Sequence, residues 1–224
     1  MTGLLPLTIG GEPLPPQTRY SVATMLAGGQ QAGQNLRRAA DFYATQPKAT
    51  RAFMRAEAEH LRAYDGPVLE PCCGEGHMSR VLAEFLCCEV ISTDLRTDTG
   101  FGVGGVDFMR TKALPKGVRR LITNPPYAED VDGVPLPIKF AVHALINLGV
   151  EYLAMLLKQS FWNADNRCGL WRDLRPSRLL QTTFRVDFTG QGSPPVGGLF
   201  VVWDRRHEWG AGRYDLICEG GLVR

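Results

Sequence analysis

Asn124-Pro125-Pro126-Tyr127 is the segment of this chain best equipped for chemistry. It follows the apolar run Arg120–Thr123, which reads as a strand ending at the C-terminal edge of a sheet, where α/β folds bind ligands. Two prolines fix the backbone directly after Asn124. That rigidity holds the Asn124 carboxamide oxygen and the Pro125 carbonyl at a set separation, and two such acceptors suit an –NH₂ group with two protons to donate. Tyr127 adds a flat ring for stacking a planar ring system. An amine conjugated to an aromatic ring is a poor nucleophile. Acceptors on both its N–H bonds pull electron density towards nitrogen and favour a tetrahedral geometry. The nitrogen can then attack an electrophilic methyl in line, without a strong general base. This chemistry asks for the face of the Tyr127 ring and not for its hydroxyl. The plain structural alternative is a proline-rich loop that closes a strand.

A second constellation lies upstream. Val68–Met78 (VLEPCCGEGHM) runs from an apolar strand into Gly74-Glu75-Gly76 and then a helix. Glycines at such a turn let the backbone approach a ligand where a Cβ would clash, and the helix start behind them presents free N–H groups. Asp94, at the end of the next strand, lies 18 residues beyond Gly76. An acid there can accept hydrogen bonds from ribose hydroxyls. Ser79 stands where a dinucleotide fingerprint wants its third glycine, which disfavours a pyrophosphate. A cofactor with ribose and adenine but no phosphate fits better, and S-adenosylmethionine is the common one.

Several elements must position these groups. Lys48–Tyr64 is rich in helix formers and places Met54, Ala58 and Leu61 on one face. Val68–Glu70, Glu89–Thr93, Arg120–Thr123 and Glu151–Leu157 read as strands, and Ser79–Phe85 and Ile138–Leu148 as helices. Thr97–Gly105 is a glycine-rich loop. Leu179–Asp187 and Leu199–Asp204 read as a final antiparallel pair at the sheet's edge, joined by Gly190–Gly198. Strand, turn and helix in alternation predict an α/β fold with a mainly parallel sheet. Residues 1–40, with Pro6, Pro13, Pro15 and Pro16, read as a partly ordered arm before a single domain over 41–224.

Composition sets the outer bounds. The chain has 224 residues, a hydrophobic fraction of 44% and a net charge of +2. These values suit one globular domain and exclude a histone-like or strongly acidic chain. No apolar stretch reaches the roughly 18 residues of a membrane span, and no signal peptide is read at the start, so a cytoplasmic setting is expected. Six cysteines, including Cys72-Cys73 and Cys87-Cys88, show no CxxC spacing, and no metal site is expected. His60, His77, His143 and His207 show no ligand spacing either.

VLEPCCGEG, STD at Ser92–Asp94, VDF at Val106–Phe108 and TNPPY, in this order, resemble the S-adenosylmethionine-dependent methyltransferases that methylate amines. The nearest resemblance is to N6-adenine DNA methyltransferases, especially small phage and prophage members. Phe42–Thr50 resembles the segment that closes over the cofactor's methionine end in that family. The resemblance spans roughly residues 40–205. It implies a Rossmann-like methyltransferase fold, with a mainly parallel seven-stranded sheet and a C-terminal antiparallel hairpin. It implies that Thr45, Pro47, Glu70, Cys72 and the Gly74–Gly76 backbone line the cofactor's methionine end. Asp94 would bind the ribose with Leu95 beside it, Asp107 would accept from the cofactor's adenine amine, and Phe108 would flank that ring. Asn124, Pro125, Pro126 and Tyr127 would form the catalytic segment that holds the target base.

Duplex DNA is the expected substrate, acted on by a monomer or homodimer in a bacterial or phage-infected cell. The adenine must leave the helix for its amine to be reached. Some relatives flank the flipped base with an aromatic in the loop before the last strand. Gly190–Gly198 has none, and Phe161 and Trp162 are the candidates to replace it. Lys158, Arg167, Arg172, Arg175, Arg178 and Arg185, with Trp162 and Trp171 among them, form a candidate basic rim for phosphates. A solvated arginine face explains the same charges equally well. The rival substrates are adenine in RNA and the glutamine amide of a protein. A rival of another class is a non-catalytic nucleic-acid-binding module with this fold.

Overall fold

The computed structural model describes residues 45–127, 134–162, 168–188, 196–206 and 212–223, without the side chains of 168–170. The N-terminal arm read over 1–40, Arg167 and most of Gly190–Gly198 lie outside the described residues. The described residues build an α/β fold around one sheet of eight strands. Strands β1 (Val68–Glu70), β2 (Val90–Ser92), β3 (Arg120–Thr123) and β4 (Tyr152–Lys158) are parallel neighbours. Beyond β4 lie β5 (Arg178–Arg185), β6 (Gly197–Asp204), β7 (Arg213–Cys218) and β8 (Gly221–Leu222), in the overall order β2-β1-β3-β4-β6-β5-β7-β8. Strand β6 is antiparallel to both β4 and β5, and β7 is parallel to β5.

The sheet has one strand more than the seven expected. Its last part is also arranged differently. Strands β5 and β6 do form an antiparallel pair, but β6 sits inside the sheet and not at its edge. Burial explains the placement. GGLFVVWD is buried from Gly198 to Asp204, so both faces need cover. Strand β7 leaves Arg213, Tyr214 and Leu216 exposed, as suits a strand near the edge.

Side chains alternate across the sheet into two cores. Tyr152, Ala154 and Leu156 of β4 face α1 (Pro47–Arg62) and α2 (His77–Phe85), where Phe53 stacks on Phe200 at 4.4 Å. Leu153, Met155 and Leu157 face α3 (Leu136–Val142), on the other side. The helix expected over Ile138–Leu148 is α-helical only to Val142 and widens into one π turn at His143–Asn147, with Leu148 N donating to His143 O at 3.0 Å. Two short helices, α4 (Gln159–Trp162) and α5 (Cys168–Asp173), follow β4.

Helix α1 is fixed by polar groups as well as by packing. Buried Arg120, at the start of β3, donates to Leu61 O in the helix's last turn at 2.7 Å and to Gly66 O in the turn that follows, tying the helix end to β3. Glu57, in the middle of the helix, accepts both arms of the Arg178 guanidinium at 2.8 Å and the Tyr152 hydroxyl at 2.7 Å. Arg178 also donates to Asp204 at 3.0 Å, and Tyr64 donates to the other Asp204 oxygen at 2.5 Å. Arg178 is therefore not part of a phosphate-binding rim. It is 5% exposed and spent on two carboxylates.

Removing one partner of such a cluster strands the others without water. Arg178→Ala should lower the unfolding free energy by about 3–5 kcal/mol. Urea unfolding of the ligand-free protein measures this, and a loss within ~0.5 kcal/mol, the usual range for surface changes, would show that the cluster does not act as a buried unit.

Candidate active site

The C-terminal edge of β1–β4 gathers nearly all of the predicted site residues. Glu70 ends β1, Asp94 follows β2, Asn124 follows β3 and Lys158 ends β4. Each reaches the same edge because the four strands are parallel.

The glycine turn is built for close approach. Gly74 and Gly76 have φ of 50° and 79°, conformations costly to residues with a Cβ. At Gly76 a Cβ would stand 2.4 Å from the Phe101 ring, which folds back over the turn with Arg80 stacked above it at 4.6 Å. Asp94 ties this turn to its own loop. One carboxylate oxygen accepts from Gly74 N at 2.8 Å and the other from Arg96 N at 2.8 Å. Leu95 is half-buried beside it, and Cys72 is half-buried next to the turn. The segment 101–106 lies along β2 through a single parallel bridge, Thr93 to Val103.

Glu70 is 1% exposed and accepts from the Ser79 hydroxyl, whose oxygen lies 2.6 Å from Ser92 Oγ. Full burial pushes its carboxyl up to about 8, although the Ser79 hydrogen bonds pull the other way. Ser79, read from the sequence only as a missing glycine, is thus a partner of the buried acid. Burial, with Glu70 and Asp94 nearby, also pushes the Cys73 thiol up to about 12, so it is no ready thiolate.

Asn124 is 8% exposed, and its Nδ2 donates to Thr45 Oγ1 at 3.1 Å. Pro47, two residues on, is exposed at the first turn of α1. The Tyr127 hydroxyl is anchored, which the sequence does not reveal. It donates to Leu156 O at 3.0 Å, accepts from Lys158 N at 3.1 Å and lies 3.4 Å from Asn124 Oδ1. Phe161 and Phe188 meet the Tyr127 ring edge-on at 6.3 and 5.8 Å, and the Lys158 ammonium stands over it at 4.7 Å. Phe188 precedes the 190–198 loop, so the composition of that loop does not reveal it. Val186 and Phe188, two apart and both buried on the α1 face, were the available signal.

Asp107 and Phe108 follow directly on Val106, whose N–H donates to Asp94 O at 2.9 Å, while Trp162 belongs to a stack of tryptophans. Trp162 stacks on Trp171 at 4.2 Å, and Trp171 on Trp203 at 6.4 Å, towards the α3 side. Phe108 is buried and stacks on Phe140 at 4.8 Å, with His143 edge-on at 5.2 Å. Asp107 caps the short turn Phe108–Arg110 by accepting from Met109 N at 3.0 Å. Among the described residues, no group of three or more His, Cys, Asp or Glu side chains could hold a metal ion, and no helix is long and apolar enough to cross a membrane.

The fold is that of the S-adenosylmethionine-dependent methyltransferases. A type I restriction-modification system methyltransferase subunit from Streptococcus thermophilus superposes with a TM-score of 0.57 at 12% identity, over 80% of this chain and 48% of that one. A candidate class I S-adenosylmethionine-dependent methyltransferase from Listeria monocytogenes gives 0.57 at 9% identity, over 88% and 74%. A candidate RNA methyltransferase from Pyrococcus horikoshii gives 0.52 at 11%, over 80% and 95%. The chain spans about half the length of the first of these. No family model and no curated protein matches the sequence.

The raised Glu70 carboxyl carries a pH signature. Its pKa is higher in the folded protein (about 8) than the ordinary 4.5 of an unfolded chain. The protonated acid therefore favours the fold fully below 4.5, and that contribution is lost as pH rises towards 8. Glu70→Gln should flatten this part of the stability–pH curve, measured by urea unfolding of ligand-free protein. An unchanged slope would mean that the carboxyl is not held protonated.

Proposed function

We propose that this protein transfers a methyl group from S-adenosylmethionine to the N6 amine of adenine in DNA, by direct in-line attack on a flipped base. The observation that carries the reading is the Asn124 carboxamide, buried at the end of β3, with Pro125 behind it and the Tyr127 ring at its side. The same sheet edge holds the glycine turn and the Asp94 carboxylate, whose contact with Gly74 N joins them.

The residues present fit the cofactor. The positive-φ glycine turn has the start of α2 behind it, the Asp94 carboxylate bonded to it and the buried Glu70 acid at the end of the strand before it. Thr45, Pro47, Glu70, Cys72, Gly74 and Gly76 hold its methionine end. Asp94 and Leu95 hold the ribose, and Asp107 and Phe108 the adenine. When bound, the cofactor supplies an electrophilic sulfonium methyl.

The chain's own groups act on the base. Asn124 Oδ1 and Pro125 O accept the two amine protons and turn the nitrogen lone pair out of conjugation. The nitrogen so freed could take the methyl that the cofactor would supply from its sulfonium sulfur, and the surplus amine proton would then pass to water. Tyr127 stacks on the base, with Phe161 and Phe188 bracing the ring. The neighbouring Lys158 and the exposed Arg185, at the end of β5, offer positive charge to the strand, whereas Arg175 precedes β5 at the opposite edge of the sheet.

Asn124→Ala should cost about 10²–10³ in turnover, the usual loss for one preorganised contact, while cofactor affinity by calorimetry stays near wild type. Tyr127→Phe should not be silent. It leaves the Lys158 N–H and the Leu156 carbonyl without their shared partner, so base binding weakens as the ring loosens. The decisive measurement is mass spectrometry of nucleosides from DNA incubated with the protein and cofactor. N6-methyladenine is the expected product. Methylcytosine would overturn the base assignment, and methyl label found only in RNA or protein would overturn the substrate class.

A further inference from the structure

Thr45 stands two residues before α1 and is 7% exposed, yet its hydroxyl faces the catalytic loop and not solvent. Its oxygen accepts from Asn124 Nδ2 at 3.1 Å, a contact spanning 79 residues of sequence. We infer that Thr45 is a positioning residue for methyl transfer, holding the Asn124 carboxamide with its oxygen turned to the target amine. The inference rests on the function proposed above and gives Thr45 a partner beyond the cofactor.

Donors and acceptors set the orientation that the amide needs. The target amine brings only N–H donors, so the amide must meet it with Oδ1. Half a turn about the last side-chain bond would present Nδ2 instead, donor against donor. Such terminal amide torsions are broad and soft, so the chain must restrain this one. The Asn124 amide has two side-chain neighbours among the described hydrogen bonds, Thr45 on Nδ2 and the Tyr127 hydroxyl at 3.4 Å from Oδ1. The Tyr127 contact is long, because that hydroxyl is already shared between Leu156 O and Lys158 N. Thr45 makes the shorter contact and fixes the amide plane, and Oδ1 keeps a lone pair beyond the Tyr127 contact for the amine. Thr45 can act as an anchor because α1 is itself immobilised, through Glu57 by Arg178 and at its end by Arg120.

The test uses the full chain with Thr45→Val, which removes the hydroxyl and keeps the branched shape, and Thr45→Ser, which restores it. In ligand-free protein, the Asn124 side-chain amide protons should exchange with solvent faster in Thr45→Val than in wild type, followed by NMR. Single-turnover methylation should slow about 10- to 100-fold, the range for lost orientation of a reacting group. The rate is read at saturating cofactor, so that any weakening of the cofactor contact also assigned to Thr45 does not enter it. Thr45→Ser should recover both exchange and rate. Unchanged exchange, an unchanged rate, or a loss seen only as weaker cofactor binding would each overturn the inference. Asn124→Ala separates the two claims. If it turns over like wild type, the proposed catalytic role fails, while amide exchange in Thr45→Val still decides whether Thr45 restrains Asn124.

Discussion

Between α1 and the far half of the sheet, a guanidinium sits out of reach of water, with one carboxylate on each side. Arg178 of β5 bonds Glu57 of α1 through two parallel hydrogen bonds and Asp204 of β6 through a third. Tyr152 donates to the Glu57 oxygen that also accepts from Arg178 Nη2, and Tyr64 to the Asp204 oxygen that Arg178 leaves. Burying three charges is expensive, and an apolar cluster of similar volume is often as stable. What the ionic version adds is direction. A bidentate guanidinium accepts only one orientation of its carboxylate, so the helix cannot slide or rotate over the sheet as a purely greasy face could. The segment that begins at Thr45 is thereby held over the end of β3.

Polar groups at the opposite edge follow from the same need for satisfaction. Parallel strands end together, and their loops must turn back over the sheet with buried backbone donors to pair. Asp94 serves two of these donors, in the glycine turn and in its own loop. The Tyr127 hydroxyl serves the backbone at the end of β4. Both residues belong to motifs read from the sequence as ligand-binding. Each also holds loops in place, so a mutation at either changes the shape of the site along with its contacts.

How much of this the sequence displays depends on the range of the interaction. The alternation of elements, the strand ends at Glu70, Asp94 and Asn124 and the helix over 47–62 are all local patterns, and each is legible. The interior position of β6 is less so, since Leu199–Val202 is apolar on both faces and says only that it is covered, not by what. Strand β7 escapes notice because Arg213–Asp215 is polar and its pairing with β5 is remote in sequence. Arg178 is the clearest misreading. In a run of arginines it looks like its neighbours, and only the fold brings Glu57 and Asp204 to it. Gly76 suits a ligand, but the Phe101 ring makes the same demand from within the protein. Gly102, where a Cβ would lie 2.5 Å from Ser92 O, is required by the chain's own packing alone.

The contact between Thr45 and Asn124 joins two motifs that the sequence separates. One belongs to the segment assigned to the cofactor's methionine end, the other to the amide assigned to the base. In a two-substrate reaction the reacting atoms must be brought within about 3–3.5 Å and aligned before chemistry can proceed. A hydrogen bond between the two half-sites makes each sensitive to the other's position. The buried ion cluster at Arg178 then acts at a distance, not by touching a substrate but by fixing the helix from which that hydrogen bond is made. A shift of α1 would move Thr45, release Nδ2 and let the Asn124 amide turn, even with every residue of Asn-Pro-Pro-Tyr intact.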